Sequence, residues 1–548
     1  IIIHILMMLR EKIGLLVNDA ARKLATAGFL GSADIDKIIG PGTVSACKDA
    51  AHGDYASNIA MRLAGAAKKP PLEIAQKIAE ELNQTKKAAK IFKKIGVAAP
   101  GFLNFTLSDK YVLGETEKIL KLDKNYGRLK IGKNKKTQVE FISANPSGQL
   151  HVGNGRSAFY GDALGNVLAM SGYKTEKEYY VNDARVSKQI QTLGATALGR
   201  GEAYLSPYLK EKIASLQKKL SKIRSETDAG YFLAQAVLKD LQKFIAKDLK
   251  IKFHGWIFEE CLYKRGLIIK TYDFLKKKGL VFEKDGAYWL DMSKYGQKDE
   301  VLLRSNGSPT YFLSDIAYHH NKIKRGYKKI IDIWGADHQG HVPRMKAVMD
   351  IFGYKGEFEV LICQIVTIKG GKISKREGNI VSLNWLIDEV GVDAARFFYL
   401  QNSLSAQMEF DVELAKKKSA DSPVFYVQYA HARIASILRK AGLKGSAPFN
   451  SKRVGPFQEL RHPAEIELAK ELLRLPEIVA DTAKDYQIQR VCLYAASIAA
   501  KFHKFYHDCQ VIGEDKKTTR ARLGLAMASK IVLKNTLGLL GISAPEKM

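Results

Sequence analysis

The sequence predicts an α/β protein with a parallel β-sheet at its centre, an α+β domain before it and an all-α domain after it. Residues 138–170 contain a β-rich run, a glycine-containing loop and a helix in direct succession. Residues 329–341 repeat the order of buried strand and polar loop. From about residue 424 onward, apolar residues recur at helical spacing. Strands that alternate with helices are typical of parallel sheets, whereas a purely helical region indicates a separate domain.

The composition predicts a soluble, multidomain protein with a polyanionic partner. The chain has 548 residues, 46% of them hydrophobic and 26% charged, and a net charge of +30. Nucleic acid is the leading candidate partner for such an excess of positive charge, although a genome-wide composition bias would also produce it. Five scattered cysteines form no C-x-x-C pair, so neither a zinc site nor a disulfide framework is predicted, and a reducing cytoplasm is expected.

The apolar run at the start of the sequence, residues 1–9, is predicted to begin a packed helix that continues through Leu16. It has neither the basic region nor the cleavage site of a signal peptide. No run was expected to approach the length needed to span a membrane. The sequence therefore predicts no membrane partner.

The strand–loop–helix of residues 138–170 carries the first candidate site. A strand, Gln138–Ile142, precedes a polar loop, and Phe159, Ala163 and Val167 follow at helical spacing. Free N–H groups at the start of a helix bind phosphate, and the imidazole of His151 adds a donor. The loop and helix start contain Ala144, Asn145, Pro146, Ser147, Gly148, Gln149, Leu150, His151, Val152, Gly153 and Asn154.

Three interpretations of this stretch compete. The histidine is structural, or the stretch is a dinucleotide-binding motif, because Gly153-x-Gly155-x-x-Ala158 fits the pattern loosely and an acidic residue follows about 20 residues later. The position of these glycines, well past the strand, argues against the dinucleotide motif. The third interpretation rests on residues 140–156, E-F-I-S-A-N-P-S-G-Q-L-H-V-G-N-G-R, which resemble class I arginyl-tRNA synthetases of the bacterial type.

The N-terminal region, residues 1–110, also resembles that family. G-D-Y-A-S-N at 53–58 and P-G-F-L-N-F at 100–105 are similar to the extra N-terminal domain that approaches the tRNA elbow in these enzymes. Nearby lysines would then follow phosphates, although a solvated surface is the favoured interpretation for any single one. They are Lys86, Lys87, Lys90, Lys93 and Lys94.

The resemblance implies a Rossmann-like class I catalytic domain at 130–420, with an insertion at about 185–300. Lysine-rich helices fill the insertion, and no catalytic constellation is expected in it. Residues 182–185 read N-D-A-R, where the family usually has N-D-A-G. The resemblance covers nearly the whole chain and is weakest in the insertion.

The second half of this domain contains three further candidate motifs. Tyr311 and Asp315 are four residues apart and share a face if the segment is helical. Residues 335–341, G-A-D-H-Q-G-H, follow a buried strand, where open α/β sheets bind ligands, although a surface turn capped by Asp337 is the alternative. Residues 372–376, K-I-S-K-R, are either a solvated charge run or, as the family resemblance implies, the K-M-S-K-S loop of class I synthetases.

Residues 424–548 are predicted to be all-helical. Their Y-V-Q-Y-A-H-A-R opening and A-P-E-K-M ending resemble the family's anticodon-binding domain. The aromatic residues Phe502, Phe505 and Tyr506 lie beside lysines and belong either to the core or to a base-stacking surface. The core is expected for most of them.

The resemblance implies arginine–tRNA ligase activity in two steps, with L-arginine, ATP as its Mg²⁺ complex and tRNA(Arg) as substrates, and a monomeric enzyme. Arginine first reacts with ATP to form arginyl-adenylate, and the terminal ribose of the tRNA then accepts the arginyl group. Family members usually need bound tRNA for the first step. His151, Asn154, Lys372 and Lys375 would be catalytic, with Asn154 in place of a second histidine.

Two substrate sites follow from the same motif positions. ATP is expected to contact His151, Gly153, Asn154, Gly335, Asp337, His338 and Ser374. The arginine is expected to contact Glu140, Ser143, Asn145, Tyr311 and Asp315, because a guanidinium requires planar, bidentate acceptors. Two alternatives remain: a non-catalytic tRNA-binding paralogue, and a class I synthetase for another amino acid.

Overall fold

The structure, a computed structural model, describes residues 7–31, 35–39, 42–47, 49–369, 381–443 and 456–548. Its N-terminal region packs helices on a four-stranded antiparallel sheet. The order in the sheet is β1-β2-β4-β3. The elements are α1 (Leu9–Thr26), α2 (Ile35–Ile38), β1 (Val44–Ala46), β2 (Tyr55–Ser57), α3 (Ile59–Ala67), α4 (Pro71–Asn83), α5 (Lys86–Ile91), β3 (Phe92–Ala98), β4 (Phe102–Leu107) and α6 (Asp109–Leu122).

Helix α4 illustrates how the sequence pattern produces this packing. Its apolar residues Ile74, Ile78 and Leu82 recur every four positions, and all three are buried. Pro71 begins the helix, where its missing N–H has no intrahelical acceptor to lose. The four-residue spacing of the apolar residues thus forms the buried face of this helix.

The centre of the molecule is a five-stranded, entirely parallel sheet with the order β12-β11-β5-β6-β7. Its first elements are β5 (Lys136–Glu140), α7 (Val152–Met170), β6 (Lys174–Val181), α8 (Lys188–Ala197), α9 (Pro207–Leu220), α10 (Glu226–Lys247) and β7 (Gly255–Phe258). Strand β5 lies in the middle and is buried from Thr137 to Glu140, as expected when both faces of a parallel sheet are covered. The carboxyl ends of all five strands meet at one edge.

The chain continues through a small antiparallel sheet, β10-β9-β8, and then returns to the central sheet. These elements are α11 (Glu259–Lys264), α12 (Leu267–Lys277), β8 (Val281–Lys284), β9 (Ala287–Leu290), β10 (Glu300–Leu303), α13 (Tyr311–Lys324), β11 (Lys329–Gly335), α14 (Val342–Ile351) and β12 (Glu357–Cys363). A short parallel pair follows, with β13 (Val366–Ile368), α15 (Leu383–Val390), α16 (Val392–Leu400), β14 (Met408–Phe410) and α17 (Val412–Lys416).

Two features of the sheet differ from the sequence prediction. Strand β7 pairs with β6, so a segment that was placed in an insertion is part of the central sheet. The insertion therefore interrupts the α/β pattern over fewer residues than the predicted range of 185–300. Strand β12 was not predicted from the sequence, and a short strand, β13, follows it.

The C-terminal region contains five long helices: α18 (Pro423–Lys440), α19 (Pro463–Leu472), α20 (Leu475–Asp485), α21 (Gln489–Asp508) and α22 (Lys516–Leu540). By length and composition, α22 alone among the described helices could cross a membrane. However, 72% of its most apolar window is buried inside the protein, so it is a core helix. By length and composition, this helix contradicts the expectation that no run approaches the length needed to span a membrane. Helix α22 is long and apolar because it packs in the core of the helical domain.

Candidate active site

The predicted site residues meet in one pocket of about 1760 Å³ at the carboxyl edge of the central sheet. This position follows from the fold, because the loops after parallel strands open on the same side. The predicted residues that line it are Glu140, Ser143, Ala144, Asn145, Ser147, Gly148, Gln149, Leu150, His151, Val152, Gly153, Asn154, Tyr311, Asp315, Gly335, Asp337 and His338. Pro146 is not among the lining residues.

The predicted residues Lys372, Ser374 and Lys375 lie outside the described part of the chain. The described segments on either side of them both reach the pocket, through Ile368 and Val381. The amide of Val152 donates to the carbonyl of Val381 at 3.0 Å, and Leu383 donates to Leu150 at 2.7 Å. These bonds fasten the chain after residue 380 to the start of helix α7.

The start of helix α7 places His151 at the mouth of the pocket. His151 is the N-cap residue, and its backbone N–H donates to Oδ1 of Asn154 at 3.0 Å. Gly153 lies directly under the imidazole, where a Cβ would come within 2.8 Å of the ring. Desolvation lowers the pKa of His151 below its usual value. Asn154 thus closes the capping box with its oxygen and keeps its amide N–H₂ for a ligand.

The loop between β5 and α7 leaves the strand through strained backbone. Ile142 and Ser143 are consecutive non-glycine residues with φ values of 69° and 42°. The hydroxyl of Ser143 donates to Oε1 of Glu140 at 2.9 Å and accepts from the amide of Tyr180 at 3.1 Å. Such conformations persist where the surroundings determine them and cluster at binding sites. Here they turn the loop across the end of β6.

Three carboxylates form an acidic wall in the pocket: Glu140, Glu259 and Asp315. Within the described residues, neither Asp315 nor Glu259 makes an ion pair, and Oε2 of Glu259 is buried without a hydrogen-bond partner. Protein surrounds the carboxyl of Asp315 although it faces the open pocket, and this desolvation raises its pKa to about 6. Burial raises the pKa of Glu259 to about 7. Two of the three carboxylates in this wall therefore have no cation among the described residues.

Glu140 differs from the other two carboxylates because it already has a cation. The buried ammonium of Lys322 donates to Oε2 of Glu140 at 2.6 Å and to Oδ1 of Asp332 at 2.7 Å. Burial nevertheless raises the pKa of Glu140, and Lys322 opposes that rise. His319 bridges Asp332, at 2.8 Å, and the carbonyl of Asp315, also at 2.8 Å. This network ties helix α13, which carries Asp315, to strands β5 and β11.

Asp337 lines the same pocket, just after strand β11. Its carboxylate is largely exposed and lies 3.4 Å from Nε2 of His338. A Cβ on Gly335 would come within 2.5 Å of Oδ1 of Asp337, so a larger residue there would displace this exposed carboxylate. The carboxylate therefore stands open toward the pocket, where it can accept hydroxyl groups.

Sequence reasoning missed Glu259 and the loop at 204–208, both of which line the pocket. Glu259 directly follows strand β7 at the carboxyl edge of the sheet, so recognising W-I-F as a strand would have indicated it. The loop at 204–208 comes from the insertion, where no catalytic constellation was expected. It lines the pocket because the insertion folds back over the open end of the sheet.

Arg185, which replaces the usual glycine of the N-D-A-G motif, fits without strain because its φ is not positive. Its guanidinium stacks on Tyr231 at 4.1 Å and pairs with Asp228, both on helix α10. Its amide donates to Oε2 of Glu260 at 3.0 Å. The substitution therefore joins the insertion to the start of α11, next to Glu259.

A second groove, of about 810 Å³, lies on the C-terminal helices. The guanidinium of Arg433 lies 4.9 Å from the ring of Tyr429 and 5.0 Å from that of Tyr506. Both tyrosines are more than one-third exposed. Phe502 and Phe505 are fully buried, as expected for most of these aromatics, whereas Tyr506 faces the groove.

Comparisons with known proteins agree with this architecture. Three family models match: the arginyl tRNA synthetase N terminal domain at 12–107, the class I (R) tRNA synthetase catalytic domain at 209–436, and the DALR anticodon binding domain at 427–548. The arginine–tRNA ligase of Desulforamulus reducens is 39% identical over 96% of this chain and 98% of its own length. That of Listeria monocytogenes is 39% identical over 97% and 98%.

The same architecture occurs in a solved structure. Thermus thermophilus arginyl-tRNA synthetase superimposes with a TM-score of 0.76, covering 99% of this chain and 100% of that chain. Its sequence identity of 23% supports the fold alone. The sequence relatives and the solved Thermus thermophilus structure both match nearly the full length of this chain.

Proposed function

Because this chain belongs to the class I arginyl-tRNA synthetase family, and thus catalyses arginine–tRNA ligation, we propose that its central pocket binds L-arginine, ATP and the 3′ end of tRNA(Arg) together. The observation that carries this proposal is the acidic wall beside His151. Among the described residues, no cation pairs with Asp315 or Glu259, and a guanidinium supplies one in a planar, bidentate form. Glu140 keeps free lone pairs and provides a further acceptor.

The pocket divides between the substrates along the sheet edge. The guanidinium binds at the acidic wall, with Tyr311 beside it, while Asn145 and Ser143 orient the amino and carboxylate end of the arginine. The adenine packs over Gly153, Asp337 accepts both ribose hydroxyls, and Gly335 and His338 complete the nucleotide side. The arginine carboxylate then attacks the α-phosphate, forming the acyl–phosphate bond and breaking the bond to pyrophosphate.

His151 and Asn154 donate to the phosphate oxygens as negative charge develops on them. Catalysis here consists of positioning and charge stabilisation, as in other phosphoryl chemistry. ATP enters as its magnesium complex. Among the described residues no cluster of three or more His, Cys, Asp or Glu side chains could hold a metal.

The flanking regions bind the rest of the tRNA in this proposal. Residues 1–110 contact the elbow with their lysines, and the groove of residues 424–548 holds an anticodon base against Tyr429, Arg433 and Tyr506.

The catalytic domain spans 130–420. The enzyme acts as a monomer in the cytoplasm, so light scattering should give a mass near 61.0 kDa.

The direct test is aminoacylation with labelled arginine, ATP–Mg²⁺ and tRNA, together with pyrophosphate exchange with and without tRNA. We expect the enzyme to charge tRNA with arginine and with no other amino acid. We expect pyrophosphate exchange only when tRNA is present. Exchange without tRNA would remove the tRNA requirement but leave the ligase function. Binding of tRNA without charging by any amino acid would favour a non-catalytic paralogue.

The raised pKa values of the acidic wall predict pH-dependent arginine binding. Asp315, with a pKa of about 6, and Glu259, with a pKa of about 7, are partly protonated in the empty pocket at mildly acidic pH. A guanidinium needs them ionised, so binding releases protons and the KM for arginine should fall as pH rises from about 5.5 to about 8. Steady-state exchange across this range would measure it. A constant arginine KM, or an ATP KM that falls in parallel, would contradict it.

The capping role of Asn154 can be separated from its donor role with two variants. Asn154→Asp keeps an oxygen for the amide of His151 but loses the N–H₂ donor and adds a negative charge near the phosphates. We expect it to keep wild-type thermal stability and lose about tenfold or more in kcat. Asn154→Ala loses both groups and should lower stability as well, by about 1 kcal/mol. Equal kcat for Asn154→Asp and wild type would remove the donor role.

The anticodon groove predicts a specific loss of tRNA affinity. Tyr506→Ala should weaken tRNA(Arg) binding about fivefold or more, because one stacked base is lost, whereas Tyr506→Phe should retain it. Filter binding at fixed salt would measure this. Leu493→Ala is the matched control, because Leu493 is exposed on the same helix, α21, and does not line the groove. Equal losses for Leu493→Ala and Tyr506→Ala would contradict the assignment.

A further inference from the structure

The insertion contributes an exposed aromatic ring to the catalytic pocket. Tyr204 lines the same pocket as His151 and is 42% exposed. The pocket volume of about 1760 Å³ exceeds the roughly 300–1,000 Å³ that small-molecule sites usually occupy. The acidic wall and Asp337 account for arginine and nucleotide, and neither involves Tyr204. The ring is therefore available to a third ligand.

The backbone holds Tyr204 in an unusual conformation at this position. Its φ is 65°, in the left-handed region that bulky residues seldom adopt. The carbonyl of Tyr204 accepts from the amide of Ser206 at 2.7 Å, and the hydroxyl of Thr196 donates to the carbonyl of Ala203 at 2.8 Å. Ser206 then caps helix α9 by accepting from the amide of Leu209. These bonds present the ring to the pocket although its side chain is not packed in the core.

A basic strip leads from this ring away from the pocket. Pro207 and Tyr208 line the pocket at the start of α9, and the helix extends for 14 residues, about 21 Å. Between residues 200 and 224 there are seven Lys or Arg and two Glu residues. In the described structure, four exposed lysines of this strip make no ion pair: Lys210, Lys218, Lys219 and Lys222.

We infer that Tyr204 stacks on the terminal base of the tRNA 3′ end and that the lysines of the basic strip contact the phosphates leading to it. This inference rests on the ligase function proposed above. Transfer requires the terminal ribose to enter the pocket. Every base offers a π face to a tyrosine, and a polyanionic strand matches the free lysines. Tyr204 thus orients the ribose that accepts the arginyl group.

The test compares complete tRNA(Arg) with the same tRNA lacking its terminal adenosine, using filter binding at fixed salt. Removing the adenosine should weaken wild-type binding about fivefold or more. Tyr204→Ala should weaken binding of complete tRNA by the same factor and show no further loss on truncation. Tyr204→Phe should behave like wild type. Because all variants must bind truncated tRNA equally, a folding defect would be evident as a loss with both tRNAs.

A control variant and the charging assay keep this inference separate from the ligase function. Phe282→Ala removes an exposed aromatic of the same region that does not line the pocket, and it should leave both affinities unchanged. Multiplicative effects of Tyr204→Ala and truncation, or a Tyr204→Phe variant as weak as Tyr204→Ala, would overturn the stacking. Failure of the wild-type enzyme to charge tRNA with arginine would instead overturn the proposed function.

The lysine strip has its own readout in the salt dependence of binding. For single strands, log K falls with log salt by about 0.7 for each neutralised phosphate. The triple variant Lys218→Gln/Lys219→Gln/Lys222→Gln should therefore reduce the slope for complete tRNA by about 2. An unchanged slope would overturn the contact between these lysines and the acceptor end.

Discussion

Asp315→Ala is expected to lower kcat/KM for arginine by about 100-fold or more, with little change in the KM for ATP. The guanidinium would lose a bidentate acceptor inside a desolvated pocket, and truncating one partner of a buried charge pair costs about 2–5 kcal/mol. Pyrophosphate exchange in the presence of tRNA gives both constants. Losing ATP and arginine affinity equally would contradict the assignment.

The matched variants sharpen this prediction. Asp315→Asn keeps the shape of the side chain and removes the charge, so it should resemble Asp315→Ala in arginine KM. Asp350→Ala removes an exposed carboxylate on α14 that does not line the pocket and should behave as wild type. Glu259→Gln should raise the arginine KM as well and should shift the pH dependence of that constant. These outcomes separate charge recognition from packing.

His151→Ala is expected to lower kcat by about 100- to 1,000-fold while the KM values for arginine and ATP change little. The imidazole stabilises charge that exists only in the transition state, and removing one such donor has an effect of this size. Exchange kinetics at saturating substrates would measure it. Because the backbone amide of His151, and not its imidazole, donates to Asn154, the substitution should leave the start of helix α7 intact.

The control for this variant is His52→Ala, which removes an exposed histidine from the N-terminal region. It should retain wild-type kcat. A His151→Ala enzyme with normal kcat and raised KM values would assign His151 to ground-state binding instead. A thermal unfolding curve unchanged from wild type would confirm that the loss is catalytic.

The elements that sequence reasoning located were those with a strong local signal. Helix α7 and strand β11 have long apolar patterns, and both lie where they were predicted. Strand β7 has four residues, all half-buried, so its sequence carries no alternation to detect. Strand β12 was missed at the edge of the sheet, where burial is partial. Short and half-buried strands depend on their neighbours for recognition.

The same distinction holds within the site. The sequence by itself determined the family, the strand–loop–helix that carries His151 and Asn154, and the four-residue spacing that puts Tyr311 and Asp315 on one helix. These features are local, so chain connectivity alone fixes their geometry.

Only the tertiary structure decided which carboxylates await a cation. Lys322 pairs with Glu140 from 182 residues away, whereas Glu259 reaches the pocket from the far edge of the sheet without an ion-pair partner among the described residues. It also decided that the insertion returns Tyr204 to the pocket. Charge pairing and burial depend on which distant segments meet, and that follows from the packing of the whole sheet rather than from any local pattern.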